Sequence, residues 1–272
     1  MSLLSKRLTV AFGTAARVGS AIAVSAAPAA AAPACTDTFD GVWAGGTITS
    51  GMVVCGGSGD DTVPSMTGGV FIGRAGNDTV TTKDGGRFWG NRGADLVENH
   101  NGGTFVGGYG RDEVTFMNGG TFIGGPGDDS IFDDLEEDAT FVGGPGADNS
   151  GDDVYGVFIG GPGADSIGGN GNTPYVLGDD GQFNGGKGKD SAGDVRRGAI
   201  FRGGPAPDTI ESIDAESRAL GNRGNDVVLE NFGSFNGGPG TDTGGACGGT
   251  FVSVENQTVC PAGSSASSAS DD

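Results

Sequence analysis

The chain contains one histidine, His100, and no GxSxG segment. The first scarcity excludes an HExxH zinc site, which needs two imidazoles, and leaves a single candidate base for a serine triad. The second removes the nucleophile elbow of the α/β-hydrolases. Basic residues are also few, 15 against 35 acidic, for a formal net charge of −20. So acidic a chain repels nucleic acid and anionic membranes and attracts cations. Long apolar runs are absent too. Residues 18–26 form a short, alanine-rich stretch, well under the ~20 residues of a membrane span, so membrane insertion is not expected.

Glycine is abundant: 58 of 272 residues, with 11 prolines. That composition alone suggests collagen or a disordered low-complexity chain. Glycine has no three-residue period here, however, and apolar residues keep register with acidic ones, which a disordered chain has no reason to do.

The register is set by eleven loops of the form GxxGxD, ending at Asp61, Asp78, Asp95, Asp112, Asp129, Asp148, Asp165, Asp190, Asp208, Asp226 and Asp242. Their spacings are 17, 17, 17, 17, 19, 17, 25, 18, 18 and 16 residues. Seven residues before these aspartates stand Val54, Phe71, Phe88, Phe105, Phe122, Phe141, Phe158, Phe183, Phe201, Ala219 and Phe235. Two residues after them stand Val63, Val80, Val97, Val114, Ile131, Ser150, Ile167, Ala192, Ile210, Val228 and Gly244. Such self-similarity predicts an all-β parallel β-roll, a β-solenoid of about eleven coils with a 17–18-residue period, in which each coil buries its apolar face against the next. Two short strands per coil would face phenylalanines to aliphatics across a thin core. Asn184, Arg202 and Asn236 place the position after the phenylalanine in water, as strand alternation requires. A rod of roughly 50 Å follows from ~4.8 Å per coil, with no room for a separate globular domain.

In chain order, residues 1–34 read as a secretory leader, with Lys6 and Arg7 before the apolar stretch and Ala32-Pro33-Ala34 as a cleavage site. Acylation of Cys35 is the alternative. Removing the leader takes three basic residues and no acid, leaving 12 against 35. Residues 35–55 form an N-terminal cap, 56–245 the repeats, 246–260 a C-terminal cap and 261–272 a small, polar, acidic tail. Four cysteines allow three pairings; Cys35–Cys55 and Cys247–Cys260 each close a short terminal loop and are preferred. Trp43, Ile48 and Val53 are expected to cover the first coil, and Phe251, Val252, Val254 and Val259 the last.

The loops Gly107-Gly108-Tyr109-Gly110-Arg111-Asp112, Gly124-Gly125-Pro126-Gly127-Asp128-Asp129 and Gly160-Gly161-Pro162-Gly163-Ala164-Asp165 resemble the GGxGxDxUx repeat of the RTX (repeats-in-toxin), or haemolysin-type, family. The resemblance runs from about Gly56 to Gly245. It implies Ca²⁺ held between stacked loops by glycine carbonyls and aspartates. The residues it assigns to the metal are Gly56, Gly57, Gly59 and Asp61; Gly73, Gly76 and Asp78; Gly90, Gly93 and Asp95; and Gly107, Gly108, Gly110 and Asp112. The next coils contribute Gly124, Gly125, Gly127 and Asp129; Gly143, Gly144, Gly146 and Asp148; and Gly160, Gly161, Gly163 and Asp165. The last contribute Gly185, Gly186, Gly188 and Asp190; Asp208; Gly221, Gly224 and Asp226; and Gly237, Gly238, Gly240 and Asp242. Asp208 is the least secure, since Ala206 and Pro207 interrupt its loop.

The residue types suit the ion: calcium takes six to eight oxygens, and glycines let carbonyls turn inward. Unneutralised aspartates one strand apart would repel by at most roughly 3.5 kcal/mol per pair at an effective dielectric of about 20, so binding and coiling would be one process. The plainer alternative is that the aspartates only cap turns.

Departures from the family pattern matter. The second half-coil lacks its aspartate, having Gly86, Gly103, Gly120 and Gly156 instead, which predicts calcium along one edge and a turn without metal along the other. The 25-residue interval reads either as an added half-coil, residues 168–176, which moves later loops to the opposite edge, or as an excursion at 170–174. The run Asp133 to Asp138 is an extra ion site or a solvated charge cluster. His100 falls on the turn without metal and is expected at the surface.

These features favour a secreted, non-catalytic calcium-binding repeat protein, possessing an unidentified cell-surface or polysaccharide partner. The alternatives are an ice- or surface-binding adhesive solenoid, for which the rank Thr104, Thr121, Thr140 is broken by Arg87 and Val157, and a polysaccharide-acting β-helix enzyme.

Overall fold

The computed structural model describes residues 33–168 and 176–260. Most of the expected leader, the excursion at 170–174 and the tail at 261–272 lie outside the described residues. The chain forms two units, Met1–Pro33 and Ala34–Asp272, and the second is a parallel β-solenoid.

Neighbouring coils pair in parallel in two thirteen-stranded sheets, most coils placing one strand in each; the 25-residue coil places two, Ser166–Ile167 and Val176–Leu177, in the second sheet. Register follows the repeat: Phe71 pairs with Phe88, Phe88 with Phe105 and Phe105 with Phe122, while Val63 pairs with Val80 and Val80 with Val97. The coil number is about thirteen rather than eleven, because both caps continue the sheets. Asp37–Thr38 pairs with Val53–Cys55 at one end, and Thr250–Val252 and Asn256–Val259 extend the two sheets at the other. Thirteen strands at ~4.8 Å give a rod of ~58 Å.

The phenylalanines stack like coins. Ring centroids from Phe71 to Phe158 lie 4.7–4.9 Å apart with nearly parallel planes, matching the strand spacing. Phe158 and Phe183, which flank the 25-residue interval, are tilted by 54°. Phe251 extends the column, and Gly244 leaves the space its ring occupies.

The core has a third column that the two-column expectation missed. Met66, Lys83, His100, Met117, Leu135, Val154, Leu177, Val195, Ile213 and Asn231 are all buried at the turn opposite the aspartates. His100 is therefore an interior residue, correcting its expected surface position. Its Nδ1 lies 2.8 Å from the Gly119 carbonyl, and burial pushes its pKa down to about 4. Lys83, next to it in register, donates to the carbonyls of Gly102 at 2.6 Å and Gly86 at 3.2 Å, and burial pushes it down to about 7. The two extra residues after Asp129 are absorbed at this turn, where Leu135 bridges Met117 and Val154 and keeps the column continuous.

The two preferred disulfides, Cys35–Cys55 and Cys247–Cys260, are present. Ile48 is fully buried, and Trp43, Phe251 and Val254 pack against the core. Val252 and Val259 do not contribute cap packing: they are 53% and 90% exposed, Val252 because it follows Phe251 and shares the outward position of Asn236, and Val259 on the outermost strand of the second sheet.

Candidate metal centre

All eleven aspartates line one edge of the roll and are at most 2% exposed. The added half-coil is excluded, because the Asp165 N–H donates to Asp190 Oδ1 and Phe158 pairs with Phe183. The 25-residue coil thus returns to the same edge.

Gly107 shows why each loop begins with glycine. A Cβ there would overlap the carboxylate of Asp112, whose Oδ2 is folded back into its own loop. The same overlap recurs between Gly56 and Asp61, Gly124 and Asp129, and through every copy to Gly237 and Asp242. It holds for Gly203 and Asp208, so the interrupted loop has the geometry of the others, and Gly203 joins the set that sequence reading had limited to Asp208. The later glycine is needed for another reason: Gly110 has φ +142°, and a Cβ would strike the Gly93 carbonyl one coil back. Where the second glycine is replaced, Arg74, Asn91 and Asn222 take the same left-handed conformation, with φ of 78–84°.

The carboxylates form a ladder. From Asp61 to Asp226, each aspartate N–H donates to Oδ1 of the aspartate in the following coil at 2.8–2.9 Å. No carboxylate from Asp78 to Asp242 accepts a hydrogen bond from its own loop, which argues against simple turn capping. Oδ2 of all ten is buried and has no hydrogen-bond partner among the described residues. The ends differ. Asp61 receives the Gly41 N–H on Oδ1 and the Gly57 N–H on Oδ2, so the N-terminal cap satisfies it. At the other end Asp242 donates to Glu255 Oε2.

Burial dominates the electrostatics. It pushes Asp78, Asp112, Asp165, Asp190 and Asp226 up to about 6, Asp95, Asp129 and Asp208 to about 7, and Asp148 to about 8. Asp242 is raised as well. The donated N–H opposes each shift, and at most positions neighbouring carboxylates reinforce it. A carboxylate with one bare oxygen in a desolvated loop takes up a proton or a cation.

The donors around that bare oxygen suit a hard cation. In several loops the first glycine of the next coil turns its carbonyl to the same space: a Cβ on Gly90 would lie 2.7 Å from Gly107 O, and one on Gly221 2.8 Å from Gly237 O. Carboxylate and carbonyl oxygens without nitrogen or sulfur are the set that calcium prefers. On the opposite edge, Asp133, Asp134 and Asp152 bring carboxylate oxygens within 4.8 Å of one another, but all three are partly exposed.

Comparison with family models, curated proteins and solved structures finds no match to this chain. The RTX resemblance therefore stands on the loop residues themselves.

Proposed function

We propose that the protein is a secreted calcium-binding repeat protein whose aspartate edge takes up Ca²⁺ between adjacent coils and couples that binding to folding. The observation that carries this reading is the row of ten buried, unpartnered Oδ2 atoms, each folded back against the first glycine of its own loop. Calcium supplies the positive charge that lets these carboxylates ionise together. The chain's own residues do the rest: Oδ1 holds the inter-coil N–H, the first glycine leaves room for the folded-back carboxylate, and the caps close the column. Binding and structural assembly, rather than catalysis, are the role of this edge, since its carboxylates are engaged periodically and not as a single pair. Two disulfides suit an oxidising compartment, where calcium is also plentiful.

The test is equilibrium dialysis of the disulfide-intact chain against calcium. The expected result is about ten ions per chain, one per unpartnered carboxylate, with Asp112→Asn and Asp129→Asn each removing sites. Absence of binding at ~1 mM calcium would refute the reading, as would equal uptake of magnesium, which demands tighter octahedral geometry.

A further inference from the structure

The sheet that carries the phenylalanines has a charge pattern unlike the rest of the chain. From Val53–Cys55 to Thr250–Val252 its strands contain no aspartate or glutamate, in a chain of net charge −20. The strands of the other sheet carry Glu98, Glu113, Asp194, Glu211 and Glu230. The acid-free strands carry Arg87, Arg92, Lys187, Arg202, Arg218 and Arg223, besides Arg74, which is held by the Gly56 carbonyl at 3.0 Å. Among the described residues none of those six forms an ion pair; the pairs are Arg196 with Asp194 and Arg197 with Asp179. Arg87, Arg202 and Arg218 flank the buried column of this sheet, while Arg92, Lys187 and Arg223 close their strands at the start of the aspartate loops. An acidic protein that leaves these six cations unneutralised along one sheet and its loop border holds them available for an external anion.

Their placement says what kind. Arg87 and Arg92 lie on one strand, and the other four on three consecutive strands further along. Four strands separate the groups, a span of ~24 Å at five strand spacings. The outward residues between them are Thr104 and Val106, Thr121 and Ile123, Thr140 and Val142, and Val157 and Ile159, in register and half-exposed. All are β-branched and stiff, so this surface is flat, uncharged and regular. At its edge Trp89 lies under Arg87, 5.5 Å from the guanidinium carbon, and Tyr109, 66% exposed, pairs in register with Arg92. A small anion would engage one basic group only. A nucleic acid would lay a continuous row of phosphates over the uncharged centre while meeting the net negative charge.

We infer that this face binds a linear, carboxylated polysaccharide laid along the rod. The apolar faces of its sugar rings rest on the β-branched flat, and its carboxylates meet the arginines at both ends, Arg87 among them held over the Trp89 ring. Arg87, Arg202 and Arg218 lie outside the aspartate loops, so their part in this binding does not depend on calcium uptake.

The test uses the full, disulfide-intact chain and hyaluronan fragments of graded length, in which every second sugar bears a carboxylate, with dextran as the neutral control. Affinity is expected to rise about tenfold or more once a fragment spans both basic groups, and to weaken with salt. Arg87→Ser/Arg92→Ser and Arg202→Ser/Arg218→Ser/Arg223→Ser should each lose about tenfold or more, while Arg197→Ser, on an ion-paired arginine, should not change it. Circular dichroism of each variant in calcium checks that the coil is intact. Binding equal for hyaluronan and dextran, binding unmoved by the face variants, or no binding would overturn the inference. So would sedimentation in which the face variants abolish self-association, which would make the occupant a second copy of the chain.

Discussion

The N–H of Asp242 donates to Glu255 Oε2 at 2.8 Å, the place where every earlier aspartate meets the carboxylate of the next coil. A cap residue only 13 positions on thus stands in for a twelfth aspartate. Glu255→Ala is expected to lower stability by about 1 kcal/mol, the worth of one such bond, and Glu255→Gln, which keeps an acceptor, by less. Urea denaturation of the two variants checks this ordering.

Two loop glycines that look alike in sequence should respond differently. Gly107→Ala puts a methyl group where the Asp112 carboxylate sits and is expected to cost about 3 kcal/mol or more. At Gly59 an added Cβ meets nothing within 4 Å, and Gly59→Ala should change stability by less than about 1 kcal/mol. Thermal melts of both in calcium measure the difference.

Lys83 and His100 occupy interior positions that Met66 and Met117 fill one coil away on either side. Lys83→Met is expected to stabilise the protein at pH 7 by about 1–3 kcal/mol, since it replaces a buried amine with an apolar side chain of similar length. The folded pKa of Lys83, about 7, lies below its ordinary value of 10.5. Wild-type stability at this site therefore rises with pH between those values, and the advantage of Lys83→Met should shrink toward pH 10. An advantage that grows with pH would contradict this assignment.

The aspartate column gives the opposite slope. Its carboxyls hold protons more tightly folded than unfolded, because burial raises them to about 6–8 from 3.8. In chelator, this contribution is full below the unfolded value of 3.8 and is lost as pH rises from there through the folded values of about 6–8. Melting between pH 5 and pH 8 should therefore fall by roughly 6 °C or more, about 3 kcal/mol for the equivalent of two pKa units at one site. Saturating calcium should flatten the slope.

What could be read in the sequence was whatever repeats by residue type. The phenylalanine, aliphatic and aspartate columns and the parallel coil follow from such repetition, and the two disulfides from cysteines that each close a short terminal loop. The third column could not be read, because Met66, Lys83, Leu135 and Asn231 share a position and no chemistry, and their offset from the aspartate shifts from five residues to six at Leu135. His100 was misplaced for that reason. Asp208 looked doubtful because Ala206 and Pro207 break the motif, yet the position that must stay empty is Gly203. The edge of the later loops was undecidable from spacing alone; the Asp165–Asp190 hydrogen bond decides it. Glu255 carries no repeat signal, since it lies in a cap of different length.

The central claim, that calcium on the aspartate edge drives coiling, is tested most directly by circular dichroism of the disulfide-intact chain, residues 35–272, titrated with calcium and then with chelator, with magnesium as control. The account predicts a reversible, calcium-selective gain of β structure at pH 7.5. Equal β structure and equal melting temperature in chelator and in calcium would contradict it, and would leave the phenylalanine stack and the two disulfides as sufficient for the fold.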